Sequence, residues 1–334
     1  MEECARWSAE KAARWYKEKP WILGFNYVTS TAVNSTEMWQ SETFDAPVIE
    51  REMALACGTG YNSCRVFLQY LVWKNEGDRF LANFSKFLEI CGKNNISVMP
   101  IFFDDCAFSG REPYCGKQDD PVPGIHNSGW TASPGFTAAD DPNAQNDLKA
   151  YVQTITDRFK NDRRIIAWDL YNEPGNSGRN EKCLPLLRNV FVWARECNPI
   201  QPLTAGLWAF NEDFNNIIPE VCDIISFHDY TGIIKTQERI AMLKKFGRPV
   251  LCTEWLHRFN VNTFESHLPV YKSAGLGVYQ WGLVNGKTQT HLNWDKSKNT
   301  EAMPKIWQHD IFTKDLQPYS PDEISLIKKL SPGK

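Results

Sequence analysis

The sequence predicts a single (β/α)8 barrel, in which parallel strands form a closed ring and helices cover its outer face. Short apolar runs alternate with longer amphipathic segments along the whole chain, and there are eight such runs. No Pro/Gly/Ser-rich linker or block of charge divides the 334 residues, so we expect one domain over residues 1–334. A doubly wound sheet would instead need a glycine-rich turn after an early strand, and GFNYVTSTAVNS contains no G-x-G-x-x-G motif.

The eight predicted strands are the short apolar runs of this alternation. They occupy residues 21–27, 63–69, 96–103, 165–173, 202–208, 222–230, 249–256 and 276–283. In a parallel barrel the carboxyl ends of all strands meet at one face of the ring, where active sites form.

The segments between the strands have apolar residues at three- and four-residue spacing, which is typical of amphipathic helices. The predicted helices cover residues 80–95, 146–162, 236–247 and 262–275. Pro269 should kink or interrupt the last of them, because proline cannot donate the helical hydrogen bond. Residues 1–20 form a helix-like extension, and 5–17 should pack across the bottom of the barrel.

A long irregular segment, Ala107 to Asp140, follows the third predicted strand. It is rich in glycine, proline, aspartate and aromatic residues, including His126 and Trp130. Such a composition predicts an extended loop, and its place in the chain puts this loop over the mouth of the barrel.

Charge and hydropathy exclude several classes of partner. A formal net charge of −3 argues against a nucleic-acid partner, since no basic stripe is present to neutralise phosphates. No apolar run approaches the roughly 20 residues of a membrane span. The N-terminal 20 residues contain no apolar stretch typical of a secretion signal, so we favour the cytosol, with secretion after removal of a signal as the alternative.

The chain has ten cysteines, and most lie in apolar runs or near helix ends, where buried free thiols are expected. Cys106 and Cys115 flank a short loop and are the one pair that we would suspect of bridging. No C-x-x-C motif or Cys/His cluster predicts zinc, and neither a metal nor a cofactor is expected. Four aspartates lack the spacing of a calcium-binding loop and are predicted to be solvated turn residues: Asp104, Asp105, Asp119 and Asp120.

Several predicted strands end in polar or aromatic residues that the barrel would bring together. These residues are Arg65 on the second strand, Asn172 and Glu173 on the fourth, Ser226, His228 and Tyr230 on the sixth, Glu254 on the seventh and Trp281 on the eighth. Glu173 and Glu254 are the two glutamates at such ends with apolar or aromatic neighbours on both sides.

Paired carboxylates suit the cleavage of an acetal, which needs a proton on the leaving oxygen and help for the developing oxocarbenium ion. One carboxyl must stay protonated near neutral pH, so it needs apolar surroundings or a neighbouring negative charge. The other must be ionised, and Arg65 and Tyr230 are placed to favour that state by charge and hydrogen bonding.

Four motifs occur at the ends of predicted strands in a fixed order along the chain. Asn-Glu-Pro ends the fourth strand, His-x-Tyr ends the sixth, CTEW ends the seventh and a tryptophan ends the eighth. This set resembles the clan A glycoside hydrolases, particularly glycoside hydrolase family 5 and its cellulase-like relatives. The resemblance extends from Trp21 to about Tyr319.

The resemblance implies roles for the residues that match the motifs. Glu173 matches the acid/base and Glu254 the nucleophile of enzymes that retain anomeric configuration through a covalent glycosyl-enzyme, with carboxyl groups about 5–5.5 Å apart. The resemblance further implies that Asn172 binds the sugar 2-hydroxyl and that Arg65 and Tyr230 keep the nucleophile ionised. It also implies that His228 lines the site near the acid/base and that Trp281 lies under the sugar.

The match is incomplete at the third strand, where many family members place a histidine and IFFDDC offers Phe103, Asp104 and Asp105. Trp39 and Trp208, after the first and fifth strands, are candidates for stacking on sugars, with core packing as the alternative. His291 and Trp294 are candidates for a further subsite.

The sequence therefore predicts a retaining β-glycoside hydrolase whose partner is a carbohydrate. The long third loop favours oligosaccharides or chain ends over internal cleavage of polymers. Transglycosylation on the same scaffold and a barrel that binds carbohydrate without cleaving it remain the alternatives. The sugar, the linkage and the oligomeric state are left open.

Overall fold

A computed structural model of the chain describes residues 5–210, 212–301 and 303–332. Its strands form one parallel sheet in the order β5-β4-β3-β2-β1-β9-β8-β7-β6. The strands are β1 Leu23–Tyr27, β2 Ser63–Phe67, β3 Ser97–Asp104, β4 Trp168–Asn172, β5 Leu203–Thr204, β6 Gly206–Leu207, β7 Ile225–His228, β8 Val250–Glu254 and β9 Gly277–Trp281. Seven of the eight predicted runs contain their strands in full, and β3 extends one residue beyond its run, to Asp104.

The fifth predicted strand is interrupted at Ala205 and so provides both β5 and β6. The Leu203–Thr204 half pairs with β4, and the Gly206–Leu207 half pairs with β7. One predicted strand thus bonds to both of its neighbours, and the ring closes. The prediction of a (β/α)8 barrel is confirmed.

The helices lie outside this ring. They are α1 Ala9–Lys17, α2 Ser35–Trp39, α3 Ala46–Thr59, α4 Tyr70–Glu76, α5 Asp78–Lys93, α6 Phe136–Asp140, α7 Gln145–Phe159, α8 Leu184–Glu196, α9 Glu212–Val221, α10 Ile233–Lys244, α11 Phe264–Ser273 and α12 Pro321–Leu330. All four predicted helices are present. The last one, α11, continues through Pro269, so the predicted interruption does not occur.

Helix α5 shows why these segments fold against the barrel. Its buried residues recur at three- and four-residue spacing, which places them on one face: Phe80, Leu81, Phe84, Phe87, Leu88, Ile90 and Cys91. They join the large core between the helices and the strands. Burial of one such side chain contributes about 1.5–3 kcal/mol.

A second, smaller core fills the amino-terminal end of the barrel. Met99, Leu251 and Tyr279 project there from three strands, and Ala12 of α1 packs on them with partly buried Trp15. The predicted packing of the N-terminal helix across the barrel bottom is therefore confirmed. The opposite, carboxyl-terminal end remains available for a site.

The cysteines that the structure describes are all free thiols. Cys106 is buried while Cys115 is exposed, so the suspected bridge between these two residues is not formed. None of the helices in the described ranges is both long and apolar enough to cross a bilayer.

Gly24 gives a test of packing inside the barrel. A Cβ at this position would collide with the ring of Tyr279, the residue opposite it in the β1–β9 register. We expect Gly24→Ala to lower the free energy of unfolding by about 1–3 kcal/mol, measured by urea denaturation. Gly58→Ala is the matched control, because nothing lies within 4 Å of a Cβ in that position of α3, and it should not destabilise. Equal effects of the two substitutions would contradict this packing.

Candidate active site

A fully buried arginine, Arg65 of β2, organises the carboxyl end of the barrel. Its Nη1 donates to Oε1 of Glu254 at 2.8 Å and to Oδ1 of Asn26 at 2.7 Å. Its Nη2 donates to Oδ1 of Asn172 at 2.6 Å, and its Nε donates to Oδ2 of Asp169 at 2.9 Å. A guanidinium presents its N–H groups in a rigid fork, so these contacts fix the side chains of β1, β4 and β8 relative to one another.

Glu254, the last residue of β8, is the better candidate for an ionised carboxylate. Oε1 receives the Arg65 guanidinium, and Oε2 accepts the hydroxyl of Tyr230 at 2.8 Å. Burial raises the pKa of Glu254, and the Arg65 charge and the Tyr230 hydrogen bond act against that rise. Burial also raises the pKa of Tyr230 well above its usual range, so its hydroxyl stays a donor.

Glu173 follows directly on β4 and has a left-handed backbone, with φ at 44°. That conformation costs a non-glycine residue about 1–2 kcal/mol, so it persists only because the surrounding structure holds the backbone there. Oε2 accepts the Cys106 thiol at 3.3 Å and the Asn176 amide, while Oε1 lies 2.6 Å from Nδ1 of His228. Burial raises the pKa of Glu173 and favours its protonated form.

The two carboxyl groups face each other across a short gap. One oxygen of Glu173, one oxygen of Glu254 and a ring nitrogen of His228 lie within 4.8 Å of one another. This upper limit on the oxygen-to-oxygen distance is close to the roughly 5–5.5 Å of configuration-retaining pairs and well below the roughly 6.5–9.5 Å that inverting pairs need for a water. Two carboxyl groups and an imidazole could also bind a metal ion. In this site, however, the positive charge next to Glu254 comes from the Arg65 guanidinium, 2.8 Å from Oε1.

His228 is held neutral between the carboxyl groups. Burial lowers its pKa to about 3, and Nδ1 lies 2.6 Å from Glu173 and 3.4 Å from Glu254. Its Nε2 points at Gly206, where a Cβ would approach to 2.8 Å. Glycine at this position in β6 therefore leaves the room that the imidazole occupies.

A cavity of about 540 Å³ opens above this pair. Its wall is largely aromatic, with Phe67, Phe108, Trp130, Trp208, Tyr230, Trp281 and Trp294, and it includes His126, Asn127, Asn172 and Arg239. Flat aromatic faces and a few placed polar groups are what a sugar-binding site requires.

The long segment after β3 forms one side of this cavity, as predicted for a loop over the barrel mouth. Asn127 donates its backbone N–H to the carbonyl of Thr288 at 2.8 Å. Nδ1 of His126 donates to the carbonyl of Leu292 at the same distance. The loop is thus tied to the segment after β9, and the two together narrow the mouth.

The structure brings most of the predicted site residues together at this cavity: Glu173, Glu254, Asn172, His228, Tyr230, Trp281 and Trp208. Arg65 is 0% exposed and lies behind Glu254 and Asn172 rather than in the wall, a place that fits its expected role toward Glu254. It therefore acts through those side chains and not on a sugar. Trp294 lines the cavity and is 49% exposed, while His291 packs against Trp307 at 5.4 Å and is not part of the wall.

The prediction for Trp39 must be corrected. Its ring is 0% exposed and packs among Phe80, Phe84 and Phe87, and its Nε1 donates to the carbonyl of Phe67 at 2.6 Å. The alternative of core packing is the one that the structure supports, because α2 folds back onto the outside of the barrel.

Sequence reasoning missed three residues beside the carboxyl pair, namely Asp104, Cys106 and Trp130. Asp104 is 3% exposed, and Asp105 is equally buried, so their prediction as solvated turn residues is wrong. The signal for Asp104 was its position as the last residue of β3, the same rule that identified Glu254. Trp130 has no local signal, because only the fold of the loop brings it to the site.

Comparison with known proteins gives one family match. The family described as cellulase, glycosyl hydrolase family 5, matches residues 28–300. A search of curated proteins found no match to the sequence.

Solved structures with the same fold include three mannan- or mannoside-cleaving proteins of low identity. An exo-β-1,4-mannosidase from Opitutaceae bacterium strain TAV5 is 15% identical with a TM-score of 0.63, over 93% of this chain and 60% of its own. An endo-β-1,4-mannanase from Thermotoga petrophila is 12% identical with a TM-score of 0.62, over 95% and 77%. A family 5 mannosidase from Rhizomucor miehei is 12% identical with a TM-score of 0.61, over 95% and 93%. The chain thus spans only 60% of the length of the first of these proteins.

Proposed function

The chain belongs to glycosyl hydrolase family 5, a clan A family, and we propose that it hydrolyses β-glycosides with retention of configuration, using Glu173 as acid/base and Glu254 as nucleophile. The single observation that carries this assignment is the oxygen-to-oxygen gap of at most 4.8 Å between two carboxyl groups with different surroundings. A guanidinium contacts Glu254, whereas an imidazole and a thiol contact Glu173. We propose further that residues 1–334 act as one catalytic domain.

In the first step, a carboxylate oxygen of Glu254 forms a bond to the anomeric carbon while the bond from that carbon to the leaving oxygen breaks. Glu173 transfers its proton to the leaving oxygen, which departs as an alcohol. Arg65 and Tyr230 hold the attacking carboxylate in one orientation, so little reorganisation is needed when its charge moves onto the sugar.

In the second step, ionised Glu173 takes a proton from water, and the water oxygen attacks the anomeric carbon. The ester bond to Glu254 breaks, and its carboxylate returns to the Arg65 guanidinium. The alternative, transglycosylation, differs only in that a sugar hydroxyl replaces water. Trp208 gives this alternative an acceptor surface, because it lines the cavity and its Nε1 donates to the carbonyl of Pro174, next to the acid/base, at 2.9 Å.

The cavity suits one end of a glycan chain. The loop residues Phe108, His126 and Trp130 form part of the wall, which supports a pocket of limited volume over a groove across the barrel. We propose short oligosaccharides or chain ends as substrates. The mannosidases and mannanase among the solved structures make β-mannosides the first sugars to test, alongside glucosides, xylosides and galactosides.

Replacing each carboxyl separately tests the two roles. On the best nitrophenyl β-glycoside of such a panel, Glu254→Gln should lower kcat by at least about 1000-fold, because the nucleophile is lost. Glu173→Gln should lower kcat/KM about 100- to 10,000-fold on an oligosaccharide and far less on a dinitrophenyl glycoside, whose leaving group needs no proton. On both substrates kcat should fall, because water loses its general base in the second step.

The control for these substitutions is Glu42→Gln at an exposed glutamate, which should leave kcat unchanged. Proton NMR of the first product should show the anomer of the substrate. Prompt appearance of the opposite anomer would refute Glu254 as nucleophile, and binding of sugar without turnover in the unmodified protein would favour the non-catalytic alternative.

Tyr230→Phe tests the ionisation of Glu254 through the pH profile. The substitution removes a donor that stabilises the ionised carboxylate, so the pKa of Glu254 rises. A hydrogen bond to a charged group is worth about 1.5–3 kcal/mol, so the acidic limb of kcat/KM should move to higher pH by about one to two units. An acidic limb at unchanged pH, with only a lower plateau, would contradict this role.

The products of a soluble β-linked oligosaccharide test the proposed action on chain ends. A narrow pocket should release one small product from the first minutes, while the average chain length falls slowly. Chromatography of a time course measures both. An early ladder of intermediate oligosaccharides would show internal cleavage and contradict the proposal.

A further inference from the structure

Asp104, the last residue of β3, carries a carboxylate that accepts three N–H groups from different parts of the site. Oδ1 accepts Nδ2 of Asn172 at 2.8 Å and the backbone N–H of Cys106 at 2.9 Å. Oδ2 accepts Nε1 of Trp130 at 2.7 Å. Asp104 itself is 3% exposed and is not part of the cavity wall, so it cannot be explained as a contact to substrate.

The first of these bonds fixes the amide of Asn172. Its Oδ1 faces the Arg65 guanidinium at 2.6 Å, and one hydrogen of its Nδ2 is used by Asp104. A side-chain amide has two hydrogens on nitrogen, and the second one lies toward Sγ of Cys106 at 3.6 Å. A thiol sulfur is a weak acceptor, so a hydroxyl in the cavity that Asn172 lines can take its place. Arg65 and Asp104 together prevent the amide from presenting its oxygen instead.

The bond on the other oxygen holds the aromatic wall. The ring of Trp130 meets the ring of Phe67 edge-on at 4.9 Å, and Phe67 in turn meets Trp281 at 5.6 Å. All three rings line the cavity, and they form a small cluster separate from the main core. One carboxylate is therefore bonded both to the amide and to the wall.

We propose that Asp104 is a positioning residue for the sugar that occupies the cleavage subsite. Through Asn172 it directs an N–H at the sugar 2-hydroxyl, and its negative charge strengthens that donor as the transition state forms. Through Trp130 it sets the wall against which the same sugar packs. This inference rests on the proposed glycosidase function.

Asp104→Asn tests the proposal with little change in volume. The new amide has a single acceptor oxygen, yet it faces N–H donors on both sides, so it cannot accept from both Asn172 and Trp130. The assay compares kcat and KM on two aryl β-glycosides that differ only in the presence of the 2-hydroxyl. Burial raises the pKa of Asp104 to about 7, so the assay is run at pH 8, where the carboxylate is ionised.

In the unmodified protein, removing the 2-hydroxyl from the substrate should lower kcat/KM strongly. The measured quantity is the ratio of kcat/KM on the substrate with the 2-hydroxyl to kcat/KM on the substrate without it. Asp104→Asn should lower this ratio at least tenfold, mainly through a lower kcat on the hydroxylated substrate. The matched control is Asp105→Asn, a buried aspartate bonded to Tyr171 and Gly175 in place of Asn172, which should leave the ratio unchanged. Trp130→Phe should raise KM for both substrates and also leave the ratio unchanged.

Thermal unfolding checks that each variant is folded, and Asp104→Ser is the second choice if the asparagine variant is not. Equal losses on both substrates in an active, folded variant would overturn the role of Asp104 alone. If the unmodified protein turned over neither substrate nor any other glycoside, the proposed function would be overturned and this inference with it.

Discussion

The ion pair between Arg65 and Glu254 is the contact on which the rest of the site depends. Two charges buried this deeply are stable only if each finds partners, and the remaining N–H groups of Arg65 find theirs on Asp169, Asn26 and Asn172. The barrel interior is thus divided into an apolar lower half, closed by α1, and a charged upper half. Because the fork of the guanidinium is rigid, it fixes the Glu254 carboxylate and the Asn172 amide relative to each other.

The fold and the central pair could be predicted because both follow from short-range patterns. Alternating apolar runs define the strands, and the carboxyl ends of parallel strands must meet at one face. A glutamate that ends an apolar strand, such as Glu254, is therefore placed by the fold itself. The same reasoning brought His228 and Tyr230 to the site, since alternate residues of one strand share a face.

What could not be predicted depends on contacts between distant parts of the chain. Trp39 and Trp130 both lie in the connections that follow strands, yet one is buried among the phenylalanines of α5 and the other lines the cavity. No periodicity separates these outcomes, because each is decided by how a connection folds back over the barrel. Asp104 was misjudged for a related reason: its partners Asn172 and Trp130 come from β4 and from the third loop, and its own neighbours in sequence suggested a turn.

Because Arg65 has several buried partners, it limits which substitutions the sequence can accept. Loss of any one of Asp169, Asn172 or Glu254 leaves a buried cation or its counterpart short of a partner, a defect of about 3–5 kcal/mol for an ion pair. The effect of substituting one of these residues therefore depends on the others, and a single substitution among them is destabilising. Part of the loop that narrows the cavity is held by backbone hydrogen bonds, at Asn127 for example, and these tolerate a change of side chain. We therefore expect substitutions in this loop to be tolerated more readily than substitutions around Arg65, so that the choice of substrate can change while the reaction stays the same.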